Sequence, residues 1–326
     1  MGNIFKDLTS GFSSFVLAWL VPSGIVVALF SLFVYPPLIK GGTRGPTWSE
    51  PLTSFVATGA VAATAVLAMS IVVLALVTSL ASRPLYRLLE GYSLPESAAR
   101  PMRRRQRLRY RQLQVQAGRS HRGALHRRGL AREELGNYPA GAARLLPTRL
   151  GNALKALETY GSDRYRLDSQ SFWYEIYGSA PERNCRDADQ ARASVDFFVS
   201  LIGLMGLLSA VSGIAAATTG SGQCVVVAAG ALATTRPAYS AALRNMTDWR
   251  YAVQALVNLS RPELAKGLGY RLPDTLAEEQ RFWSAWTGLV GERHEAALAG
   301  FDSCRRTYSD ELEAGGAGGR TIGEDS

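Results

Sequence analysis

Apolar and polar positions fall in long blocks along this chain, and the longest block sets the fold. From Phe197 to Thr235 there are 39 consecutive residues without a charged side chain. One bilayer crossing takes ~20 apolar residues, so this run is long enough for two. The break that two crossings need is present at Thr218-Thr219-Gly220-Ser221-Gly222. The pattern predicts a membrane hairpin over 196–243, with spans about 196–217 and 223–243. Two earlier uncharged blocks, Gly11–Ile39 and Pro51–Ser82, predict an N-terminal hairpin over 1–82, with spans about 12–36 and 54–81. Pro22 interrupts the first of these, and Pro36-Pro37 predicts its end. Its apolar core is too long for a secretory signal and no small-residue cleavage site follows, so it reads as a retained span.

The polar connectors orient the spans. Between Arg100 and Arg132 there are twelve arginines and no acidic residue. By the positive-inside rule this places the 83–195 insertion in the cytoplasm, with both termini on the same side of the cell membrane. The run is read as a contact for anionic lipid headgroups. With only Tyr110 interleaved and no recognisable nucleic-acid-binding fold, it argues against nucleic acid. Its leucines are too sparse for a sustained coiled coil. Pro147-Thr148 predicts a helix start, and Pro262 and Pro273-Asp274-Thr275 predict two more among cytosolic helices over 244–312. The Gly-rich end, 313–326, reads as a disordered tail.

Composition narrows the chemistry. Of 36 basic residues only Lys6, Lys40, Lys155 and Lys266 are lysine. That bias points to a GC-rich bacterial genome more than to phosphate recognition. Cys185, Cys224 and Cys304 have neither metal-ligand nor disulfide spacing, and His121, His126 and His294 form no ligand set. No phosphate loop, dinucleotide fingerprint, nucleophile elbow or metalloprotease helix is present, so no catalytic, cofactor or metal site is assigned and the chain is not read as an enzyme.

Several strings carry a resemblance. LLPTRLGNALKALE from Leu145, then DRYRLDSQSFW from Asp163, resembles a PTRLGN…RYxLD pattern of uncharacterised actinobacterial multi-pass membrane proteins. LLEGY at 88–92 and LPDTLAEEQRFW at 272–283 fit the same pattern. This chain departs from it at Arg166, where the pattern has Gly, and at Trp173-Tyr174, where it has Trp-Pro. The resemblance implies an architecture and no activity.

The expected fold is therefore all-α, an integral membrane protein with about four transmembrane helices in two hairpins and a helical cytosolic domain. Two sets of residues are candidates for a site. Arg236, about 20 Å along the fourth span, is an intramembrane cation that either snorkels or pairs with Asp196. Arg149, Asn152, Glu158, Arg164 and Asp168 form a cytosolic cluster that either lines a site or ties the domain together. Small residues along the third span, Gly203, Gly206, Ala210 and Gly213, suit close helix packing within the chain or in a homo-oligomer. Two functions remain open at this point. One is a membrane-anchored scaffold or sensor whose cytosolic helices bind a protein partner. The other is an oligomeric channel or transporter subunit, anion-conducting through Arg236.

Overall fold

A computed structural model of the chain describes residues 14–40, 60–118 and 125–292, and the described residues are all-helical. Trp48, His121, His294, Cys304 and the 313–326 tail lie outside them. The chain divides into two compact units. The first takes Met1–Ala156 and Arg186–Ala252, the second Leu157–Cys185 and Val253–Ser326.

In the first unit, α1 (Val16–Ile39) is long and apolar enough to cross a membrane. Pro36 and Pro37 do not end it. A proline lacks the donor and its ring clashes with the carbonyl four residues back. The helix absorbs this by widening to i→i−5 pairing just before each proline site: Val21 N–H donates to Val16 O, and Tyr35 N–H to Phe30 O. Helix α2 (Ala60–Leu80) bends by 54° into α3 (Ser82–Glu90). Helix α4 (Glu96–Gly118) and α5 (Leu125–Leu135) follow, and a short 3-10 turn (Ala142–Arg144) leads to α6 (Arg149–Glu158).

After α7 (Tyr160–Tyr165) and α8 (Trp173–Ser179) come the two longest helices, α9 (Glu182–Thr219) and α10 (Gly222–Gly267). They meet at the expected break, where Gly220 takes a φ of 69°. Both run well beyond the apolar block. The helix starts expected after Arg244 and at Pro262 are replaced by one helix of 46 residues, with Pro237 and Pro262 inside it. Pro262 is exposed, while Val253, Leu256, Val257 and Leu264 are buried on the same helix, and such packing outweighs one missing backbone bond. The last described helix is α11 (Leu276–Glu292).

Among the described residues, α1 and α9 are each apolar enough for a crossing, and the α2–α3 bent pair makes up to three. Helix α10 falls short because its apolar run, Cys224–Ala233, gives way to Thr234-Thr235-Arg236-Pro237. It nevertheless packs with the others. Val26 and Val34 of α1, Leu204 and Leu208 of α9, and Cys224 and Ala231 of α10 share one core, with Leu74 of α2 against it. Ser209 Oγ donates to Ala228 O at 2.9 Å across the α9–α10 pair.

The outer surface of this bundle is apolar. Val66, Met69, Val73, Val77 and Leu80 of α2, Ile214 of α9 and Val225, Val226 and Leu232 of α10 are exposed. Ser23, Thr78, Ser200 and Ser212 are buried. Soluble monomers rarely expose contiguous apolar faces of this kind.

Candidate functional site

Where α3 meets α9, Tyr86 Oη donates to Asp196 Oδ1 at 2.5 Å, and Arg192 Nε stands 3.6 Å from Asp196 Oδ2. Leu85 fills the space that Gly203 leaves; a Cβ there would stand 2.8 Å from its Cδ2. Asp196 is thus engaged from its own helix and from α3. Arg236 is exposed on α10.

The strings LLEGY and LLPTRLGN meet. Gly91 caps α3 at φ 91°, and a Cβ on it would stand 3.2 Å from Pro147. Thr148 caps α6: its Oγ1 accepts from Gly151 N–H at 2.9 Å and donates to Glu90 O at 3.0 Å. A Cβ on Gly151 would stand 2.5 Å from Glu90 O, so only glycine permits this approach. Asn152, 0% exposed, accepts from Leu146 N–H and donates to Leu146 O and Thr148 O. Its amide is spent on the turn.

Arg149 faces elsewhere. Its Nη2 lies 3.1 Å from Glu134 Oε1, which Arg109 also holds through Nε and Nη2 at 2.8 and 2.6 Å. This bridge joins α6 to an antiparallel hairpin of α4 and α5, closed by Leu113, Ala131, Tyr138 and Leu145. Tyr138 Oη donates to Gln106 Oε1 at 3.1 Å, and burial pushes its phenol above the ordinary value. The hairpin's packed face uses Ala99, Gln106, Tyr110 and Leu113 of α4. Arg100, Arg104, Arg107 and Arg111 recur at four, three and four residues, which places them on one exposed stripe about 16 Å long. Leu108 and Val115 are exposed along one edge of the stripe. Arg103 and Arg100 hold Glu96 at 2.6 and 3.3 Å, which keeps that carboxyl below its usual range. Among the described residues, Arg104, Arg107 and Arg111 have no acidic partner.

The other three candidates belong to the second unit. Asp168 accepts from Gln170 N–H, Ser171 N–H and Ser171 Oγ, an Asx-type turn. Glu158 O accepts from Ser169 Oγ, and Arg164 O from Gln280 Nε2 of α11. At the start of α11, Thr275 Oγ1 accepts from Glu278 N–H and donates to Glu278 Oε2. Glu279 accepts from Trp283 Nε1 and pairs with Arg261, whose guanidinium stacks 3.5 Å over Tyr165. Tyr160 and Tyr165 both donate to Asn258 Oδ1, and burial raises the Tyr165 phenol.

The cytosolic cluster is therefore divided, with Arg149 and Asn152 in one unit and Glu158, Arg164 and Asp168 in the other. The side-chain hydrogen bonds of Asn152 and Asp168 hold turns. Three features were not resolved in the sequence: Tyr86, Arg192 and, within the Arg100–Arg132 run, the one-faced arginine stripe. Of these only the stripe has a signal there, its three- and four-residue spacing. No family model, curated protein or solved structure matches this chain.

Proposed function

We propose that this chain is a membrane-anchored scaffold that presents the α4–α5 hairpin to a cytosolic partner with an acidic surface. The observation that carries the reading is the arginine stripe. A run of arginines needed only to orient the spans has no need of a fold. Here the run is packed into a helical hairpin and tied to α6 through Glu134, while Arg104, Arg107 and Arg111 point outward without counter-charges. Arginine is enriched at protein interfaces, and an exposed row of it without counter-charges suits an acidic partner.

In this reading the chain crosses the cell membrane four times, with α10 as the fourth span and Thr218–Gly222 outside. The arginine-rich composition of the 83–195 insertion supports that orientation, and the resemblance to multi-pass proteins with a PTRLGN…RYxLD element supports the multi-pass architecture. The test is a photo-reactive residue in place of Leu108 in the full chain, activated in cells. A discrete protein adduct, lost when Arg104, Arg107 and Arg111 become Gln, is the expected result. Adducts to lipid alone would assign the stripe to headgroups and contradict the scaffold.

The channel reading draws on one observation, the exposure of Arg236 on the bundle's outer surface. A cation at that depth meets either headgroups or another copy. Ion flux through liposomes holding the full chain, abolished by Arg236→Ala, would favour it.

A further inference from the structure

Among the described residues of the first unit, the guanidinium of Arg250 is buried and has two nitrogens without a hydrogen-bond partner, whereas the partly buried Arg128 has one. Arg250 lies on α10 and is only 5% exposed. Its Nε and Nη2 are buried without a hydrogen-bond partner, and among the described residues no carboxylate reaches it. Two features compensate part of the charge. The Tyr251 ring lies 4.4 Å away, and the guanidinium sits against Gly136, where the chain leaves the carbonyl end of α5. Gly136 N–H closes that end on Arg132 O and Glu133 O. A Cβ at Gly136 would stand 2.5 Å from Nη1, so the missing side chain is what admits the guanidinium.

A buried lysine in such a place could lose its proton. Arginine cannot, and a buried charge without a partner is strongly disfavoured. The unsatisfied atoms identify what is missing. Nε–H and Nη2–H lie along one edge of the guanidinium and point in parallel, the fork that takes two oxygens of one oxyanion. Arg109 uses the same two atoms on Glu134. Next to Gly136 in the chain, Asn137 Nδ2 donates to Thr247 Oγ1 at 3.4 Å and leaves its own Oδ1 buried and unpartnered. Amide oxygen and nitrogen exchange by a flip, which makes Asn137 able to offer a further donor.

We propose that the Nε–Nη2 edge of Arg250 is a binding site for a phosphate-class oxyanion. Phosphate of this kind comes either free in the cytosol or on a lipid headgroup. Arg250 lies 14 residues beyond Arg236, about 21 Å further along α10, which is too deep in the cytosolic layer for a headgroup. The free anion is therefore the assigned ligand, a choice that rests on the membrane placement proposed above. The site itself does not rest on the scaffold reading, because the stripe residues take no part in it.

The experiment uses the full chain in zwitterionic nanodiscs. Its unfolding midpoint is followed while inorganic phosphate replaces chloride at constant ionic strength. A saturable rise of roughly 2–4 °C is expected, absent in Arg250→Lys, which keeps the charge and loses the fork. Native mass spectrometry of the detergent-extracted chain forms the second arm. A phospholipid retained by the wild type and lost in Arg250→Met, with no response to free phosphate, would move the ligand to the headgroup and retain the site. No phosphate response and no bound phosphate-containing mass in the wild type would overturn the proposal. The wild-type titration decides this even if a variant does not fold.

Discussion

Tyr86 and Asp196 are 110 positions apart in the chain and 2.5 Å apart in the structure, phenol to carboxylate. The bond fastens the short helix leaving the second apolar block to the long helix entering the third. Losing a hydrogen bond to a buried charged group costs about 1.5–3 kcal/mol, and Tyr86→Phe is expected to fall in that range. Denaturation of the detergent-solubilised chain measures it. A cycle with Asp196→Asn should give a coupling above about 0.5 kcal/mol; additive effects would mean that the pair contributes nothing as a pair.

Gly151→Ala drives a Cβ to within 2.5 Å of the Glu90 carbonyl, a backbone atom that cannot turn away. A loss of roughly 1–3 kcal/mol is expected from overpacking at this junction of α3 and α6. The control is Gly129→Ala on α5, where a Cβ meets nothing within 4 Å. That change should be neutral or stabilise by up to about 1 kcal/mol through helix propensity. Equal effects in the two variants would show that the Glu90–Gly151 approach is not a constraint.

Arg166 has a φ of 64°, the left-handed region, where it caps α7. An L-residue pays about 1–2 kcal/mol there and glycine does not. Arg166→Gly is expected to stabilise the second unit by about 1 kcal/mol, read as a higher unfolding midpoint. A lower midpoint would mean that the arginine side chain contributes more than the backbone strain removes.

Burial holds the Tyr138 phenol above its ordinary value of 10.0. The folded state keeps this proton more tightly than the unfolded state. The stabilisation is therefore present below a pH of about 10 and is lost as pH rises through the folded pKa. Tyr138→Phe should flatten this alkaline loss while weakening the hairpin slightly at neutral pH, where the bond to Gln106 is gone. Helicity followed by circular dichroism against pH checks both arms.

The large features were legible because single residues announce them. A break at Gly220 is visible when it interrupts 39 uncharged residues, and Thr148 and Thr275 carry their caps in the sequence. Prolines misled for the opposite reason. Pro36 and Pro262 read as boundaries locally, whereas an i→i−5 turn before Pro36 and a buried helix face beside Pro262 keep their helices continuous. The pattern's glycine at position 166 became intelligible only through the backbone angle found there. Pairings across long separations left no trace in the sequence: nothing around Tyr86 points to Asp196, and nothing around Arg250 shows that Gly136 makes room for it. The five-residue cytosolic cluster looked like one site because its members are close in sequence. A boundary between compact units falls between Ala156 and Leu157, inside it.

The central claim is that the helices carry the α4–α5 hairpin on the cytosolic side of a four-span anchor. Single cysteines placed by Ser221→Cys and Arg107→Cys, with the native cysteines replaced by serine, test it in intact cells with a membrane-impermeant maleimide. The account predicts labelling at 221 from outside, and at 107 only after permeabilisation. Labelling of both positions from the same side would contradict it, because α9 and α10 would then form no crossing pair between them.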